Sequence, residues 1–141
     1  GTGITHSEKN KNDNQPVKFL QIWVFPNQKD IAPRYEQKSF SNADKHNQLL
    51  TVVSPMGETS GVNIYQDAWF SLGNLEGDKT LSYELKMKGN GVYTFLLEGD
   101  ATINDIVLNR RDGLGISDVA RLTITANSNS ELLLMEVPMH Q

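Results

Sequence analysis

Cysteine is absent from this 141-residue chain, which excludes disulfides, thiolate metal ligands and a cysteine nucleophile. Histidine is nearly absent: His6, His46 and His140 are the whole supply, so any imidazole chemistry must run through those positions. No apolar run approaches the roughly 20 residues of a spanning helix, and no secretory signal pattern is present. A membrane partner is therefore not expected, and a cytoplasmic location is. Basic residues are in deficit, 13 Lys and Arg against 17 Asp and Glu, for a net charge of −4. That balance gives no electrostatic ground for nucleic acid or an anionic bilayer as partner. Helical periodicity is missing too: no segment sustains a 3.6-residue apolar repeat over three turns. An initiator methionine is also lacking; residue 1 lies directly before a chemically suggestive strand, so the expectation is a piece of a longer protein.

What remains is enough for one domain, burying roughly 70% of its unfolded surface. After the polar stretch EKNKNDNQ (8–15), Val17 to Phe25 (VKFLQIWVF) is apolar on both alternating faces. It reads as a strand covered on both sides. Asn27 to Asn47 is irregular, with a short possible strand at Tyr35–Phe40. Gln48 to Val53 reads as a strand, and Val62 to Leu72 as a strand plus loop. From Thr80 on the pattern is regular. Leu81, Tyr83, Leu85 and Met87 alternate with polar neighbours, a half-buried strand. Gly89-Asn90-Gly91 reads as a hairpin turn into Val92–Leu97 rather than a phosphate loop. Short strands follow at Ala101–Ile103, Ile106–Leu108, Leu114–Ile116, Val119–Ile124 and Leu132–Val137. Such spacing, punctuated by Gly, Asn and Asp, argues an all-β sandwich or barrel.

The chemistry-bearing motif is His6-Ser7-Glu8. On an extended strand, residues i and i+2 share a face, so the imidazole and carboxylate can converge on one point, a donor pair suited to a redox-capable or Lewis-acid metal. The aromatic residues Trp23, Phe25, Tyr65, Trp69 and Phe70 could line a flavonoid pocket, but aromatic residues in strands are ordinarily core, and core is the reading adopted. Arg110-Arg111, beside Asp112, reads as a solvated surface pair. Glu58 and Asp67 suggest no paired acid and base.

Three segments, GTGITHSEKN, QPVKFLQIWVFP and APRYEQKSF, resemble the middle of pirin-family proteins, bicupins that include quercetin 2,3-dioxygenase-like members. The stretch from YTFLLEGDATIND to SELLLMEVP resembles their C-terminal cupin. The resemblance implies a cupin-type double-stranded β-helix (jelly-roll barrel), with residues 1–15 a remnant of an N-terminal cupin and linker and 16–141 the C-terminal cupin. It implies that His6 and Glu8 are the last two ligands of a metal, iron or another divalent ion, completed by an upstream H-x-H absent from this chain. His46, in a polar stretch, and His140, next to the terminus, do not replace that pair. No histidine falls in Leu81–Leu97 or Leu114–Ile124, and Glu84 and Glu98 cannot assemble a nitrogen-containing site, so the second cupin is expected to be metal-free. The intact protein would then be a metal-dependent dioxygenase of the quercetinase type acting on a flavonol-like small molecule. This portion would be structural and non-catalytic alone, without a metal of its own. Two further expectations stand beside this: a regulatory, protein-binding pirin-like module without turnover, and homodimerisation through the segment Gly1–Gln15.

Overall fold

The computed structural model describes residues 3–139. Ten strands form two sheets: β1 Leu49–Pro55, β2 Val62–Ile64, β3 Trp69–Leu75, β4 Thr80–Glu84, β5 Asn90–Glu98, β6 Ala101–Ile103, β7 Ile106–Leu108, β8 Gly113–Ile116, β9 Arg121–Ala126 and β10 Ser130–Pro138. The larger sheet runs β2-β1-β3-β10-β5-β8 and the smaller β4-β9-β6-β7. One turn of 3-10 helix, Ala43–Lys45, precedes β1. No helix among the described residues is long and apolar enough to cross a membrane. The all-β expectation holds, and ladders within each sheet, with none joining the two, give the two-layer arrangement of a jelly roll.

Alternation decides what each strand buries. On β5 the residues Val92 and Leu96, and on β10 Leu132 and Leu134, point between the sheets. They meet Ile103, Leu122 and Ile124 from the smaller sheet in one continuous core. Burying each such side chain contributes about 1.5–3 kcal/mol. The opposite face of the larger sheet is apolar as well: Val52, Phe70 and Leu133 form a second cluster, joined by Leu72, Met135 and Val137. A sheet apolar on both faces needs two coverings; Val24 and Phe40 of the N-terminal segment pack on this outer cluster, and Ile22, Trp23 and Phe25 border a cavity against its Phe70, Met135 and Val137.

Turns set the topology. Asn104 and Asp105 both have positive φ, 43° and 68°, the signature of a type I′ hairpin, and Ile103 pairs with Ile106 across them. Gly99 has φ +83°, and a Cβ there would collide with the Asn129 carbonyl, so the β5–β6 turn requires glycine. The Gly89-Asn90-Gly91 turn is not a hairpin. β4 pairs with β9 in the smaller sheet while β5, which already includes Asn90 and Gly91, pairs with β10 and β8 in the larger, so residues 85–89 carry the chain between layers.

The segment before β1 departs most from expectation. Val17–Phe25 and Tyr35–Phe40 form no strand and join no ladder among the described residues, and most of their side chains are exposed. Single contacts fasten them instead. Asn27 N–H donates to the Tyr65 carbonyl at 2.7 Å, and Gln66 Nε2 donates to the Phe25 carbonyl at 2.9 Å. Arg34 donates to the Asn63 carbonyl and Lys38 to the Gly61 carbonyl. Glu36 accepts from Asn63 N–H at 3.0 Å and from Arg34 at 2.6 Å. The Asn63 backbone bond, then Arg34, holds the Glu36 carboxyl below its ordinary range.

Candidate metal centre

His6 and Glu8 lie on the N-terminal segment, outside any strand, and their side chains meet: His6 Nε2 sits 3.1 Å from Glu8 Oε1. Both side chains are about half exposed, at 58% and 52%. Ile4 and the run Leu20–Phe25 join them around a concavity of about 580 Å³. A nitrogen and an oxygen donor on one face, rimmed by apolar side chains, fit two positions of a His/carboxylate metal site. Among the described residues, no group of three or more His, Cys, Asp or Glu could hold a metal ion. His46 is placed elsewhere: it bridges Asn74 and lies 3.7 Å from Glu76. His140 lies outside the described residues.

The aromatic residues divide. Trp69 and Phe70 are buried, as expected, and Trp69 Nε1 donates to Glu58 Oε1 at 3.0 Å, which gives Glu58 a structural role. Tyr65 is half-buried. Trp23 and Phe25 are not core: they are 79% and 71% exposed, because the strand expected to surround them has no partner. Arg110 and Arg111 are a surface pair, and both bind Glu98, at 2.6 Å and 2.9 Å. Lys18 stands 3.5 Å from the same carboxylate. The Arg110 hydrogen bond, with the charges of Arg110, Lys18 and Arg111, lowers the Glu98 carboxyl to about 2 against desolvation.

Within the barrel lies a residue the sequence reading missed. Glu136 is fully buried and accepts hydrogen bonds from Tyr83 Oη at 2.8 Å, Lys86 N–H at 2.9 Å, Met87 N–H at 2.9 Å and Asn90 Nδ2 at 2.9 Å. Burial first, then the bond to Glu136 and its charge, pushes the Tyr83 phenol far above its ordinary range. The signal was available in the sequence. Leu132, Leu134 and Glu136 share one strand face, so a carboxylate at the third position enters the core unless the strand ends.

A sequence profile of the quercetinase C-terminal cupin domain matches residues 51–137, which is β1 through β10. The chain belongs to the pirin family. Among relatives of this pirin-family chain, quercetin 2,3-dioxygenase of Escherichia coli K12 is 34% identical over 138 residues, covering 98% of this chain and 58% of that protein. A pirin-like protein of Caulobacter vibrioides is 32% identical over 137 residues, covering 96% and 58%. The chain thus spans under two thirds of the length of these relatives. The crystal structure of YhhW from Escherichia coli superposes with a TM-score of 0.75 at 29% identity, covering 84% of this chain and 50% of that one. A structure of the same bacterial pirin in complex with nickel(II) superposes with a TM-score of 0.74 at 29% identity, covering 82% and 48%. The cupin-type fold expected from the sequence is therefore the fold of this pirin-family chain, a C-terminal cupin related to quercetin 2,3-dioxygenase-like proteins.

Proposed function

We propose that this chain is the C-terminal part of a pirin-type quercetin 2,3-dioxygenase, with residues 1–15 continuing an N-terminal cupin that holds the metal and residues 16–141 forming the second cupin. The carrying observation is the 3.1 Å convergence of His6 Nε2 and Glu8 Oε1 on one face beside an apolar rim. Nickel(II) in a related pirin and the names of the curated relatives support a divalent metal and a flavonol-like substrate. The bound metal supplies Lewis-acid or redox chemistry toward the flavonol and oxygen. His6 and Glu8 supply two donors to it, and the Leu20–Phe25 run borders them on one side. Two donors leave too many positions to solvent, so the 141 residues alone are structural and non-catalytic. The second cupin buttresses the first. Its outer sheet face, apolar and overlain by the mostly exposed N-terminal segment, is suited to that role. The test is metal content and quercetin consumption by the full-length protein: His6→Ala and Glu8→Ala are expected to remove both, and unchanged turnover in the double variant refutes the assignment.

A second reading is favoured by the exposed row Val17, Phe19, Ile22, Trp23 and Phe25: a protein-binding module without turnover, or a homodimer formed through the N-terminal segment. Stable copurification with a partner, and no quercetin consumption by metal-loaded full-length protein, would select it.

A further inference from the structure

The second cupin contains a cavity that the metal reading leaves unused, and none of its lining residues belongs to the His6–Glu8 site. β2 pairs with β1 only at Val53, Ser54 and Pro55, so the first half of β1 has no outer neighbour. β4 is likewise the edge of the smaller sheet. Between these two open edges lies a space of about 430 Å³, within the ~300–1,000 Å³ typical of small-molecule sites. Its walls include Leu49 and Thr51 from β1 and Leu81 and Ser82 from β4; Ser71 and Tyr83, both buried, reach it from inside the barrel.

The donors and acceptors are mixed and nearly uncharged in sum. Thr51, Ser71 and Ser82 offer hydroxyls, and Gln48, Glu84 and Lys86 offer one amide, one carboxylate and one ammonium. Thr51, Ser71 and Thr94 belong to a single cross-strand row through Leu134. The Thr94 hydroxyl in that row is buried without a partner among the described residues. Of that row, Thr51 and Ser71 line the space, and Thr94 lies beyond Leu134. Glu136 fixes the Tyr83 phenol and the Lys86 backbone, so two lining residues are held in place before any ligand arrives, which lowers the ordering cost of binding.

We propose that this cavity binds a small neutral polyhydroxylated molecule of about sugar size. An anion is disfavoured because Glu84 faces the same space as Lys86. A flat polyphenol would want aromatic walls, and Tyr83 is the only aromatic residue there. An extended peptide could pair with the β4 edge but could not reach Ser71, which lies inside the barrel. The test is titration of the 15N-labelled chain, followed by amide chemical shifts, with D-glucose, D-mannose and myo-inositol in turn; quercetin and an extended Val-Thr-Val-Thr peptide serve as comparisons. At least one of the three polyols should shift the Thr51, Ser71 and Tyr83 amides saturably. Thr51→Val and Ser71→Ala should each weaken that binding about tenfold, the effect of one lost hydrogen bond. Ser82→Trp, an exposed change that narrows the mouth, should abolish it while the rest of the spectrum is unchanged. Absence of a saturable shift with all three polyols overturns the proposal. So do shifts produced only by quercetin, or only by the peptide at Ser82–Glu84.

Discussion

Replacing Glu136 with glutamine changes one oxygen into an amide nitrogen inside a fully buried cluster of donors. The carboxylate accepts from Tyr83 Oη, the Lys86 and Met87 amides and Asn90 Nδ2, all between 2.8 and 3.0 Å. Lys86 N–H and Met87 N–H lie in the crossing between layers, where no ladder partner replaces the lost acceptor. A glutamine keeps one acceptor oxygen, so at least one donor is stranded and an NH2 group is turned against others. A hydrogen bond to a charged group contributes about 1.5–3 kcal/mol, and a donor left buried without a partner costs about 1–3 kcal/mol. Glu136→Gln is expected to cost about 3 kcal/mol, which for a domain of this size lowers Tm by roughly 10 °C. Urea unfolding gives the free energy. Hydrogen exchange gives the location, with the Lys86 and Met87 amides losing protection first. Tyr83→Phe combined with Glu136→Gln should be less than additive, since both remove the same bond. A variant melting within about 2 °C of wild type, with those two amides still protected, would show that Glu136 does not hold the crossing.

Further outcomes follow from other parts of the fold. Leu134→Ala, at a fully buried position, should cost about 2–5 kcal/mol by urea unfolding, whereas Ile106→Ala on the exposed face of β7 should stay within about 0.5 kcal/mol; similar losses at both would contradict the assigned core. Glu98 has a folded pKa of about 2 against an ordinary 4.5, so its contribution is present above pH 4.5 and lost as pH falls toward 2. Glu98→Gln should therefore flatten acid unfolding in that window, and 1 M salt should shrink the difference between the two proteins; parallel acid curves would refute it. Trp23→Ser combined with Phe25→Ser should leave Tm unchanged, because neither side chain is buried. The same variant should lower self-association in light scattering if the N-terminal segment mediates it, and unchanged association would exclude these residues as the contact.

The strands from Thr80 onward were legible because short apolar runs, alternating at Leu81–Met87, are bounded by Gly, Asn and Asp turn residues. Ala101–Ile103 and Ile106–Leu108 lie where the sequence put them, since the Asn104-Asp105 turn is fixed by local backbone preference. Gly89-Asn90-Gly91 was misread because turn chemistry records that the chain reverses, not which sheet the next strand joins. Val17–Phe25 failed for a different reason. Its two apolar faces are those of a buried strand, but burial needs a ladder and a covering layer, and neither lies among the described residues. The H-x-E spacing marks His6 and Glu8 as a possible donor pair, and the neighbouring segments that resemble pirins raise it to a ligand expectation; the structure places the two side chains 3.1 Å apart. Glu136 was passed over because the run LLLMEV is apolar on both faces and does not by itself show which face enters the core. Strand parity, carried two residues past Leu134, points it inward.

The central claim, that His6 and Glu8 are metal ligands in the longer protein, is tested most directly by metal analysis of the full-length protein. Wild type should hold close to one divalent ion per chain. His6→Ala and Glu8→Ala, folded by circular dichroism and with Tm near wild type, should each lose most of it. Full metal content in the double variant would contradict the account.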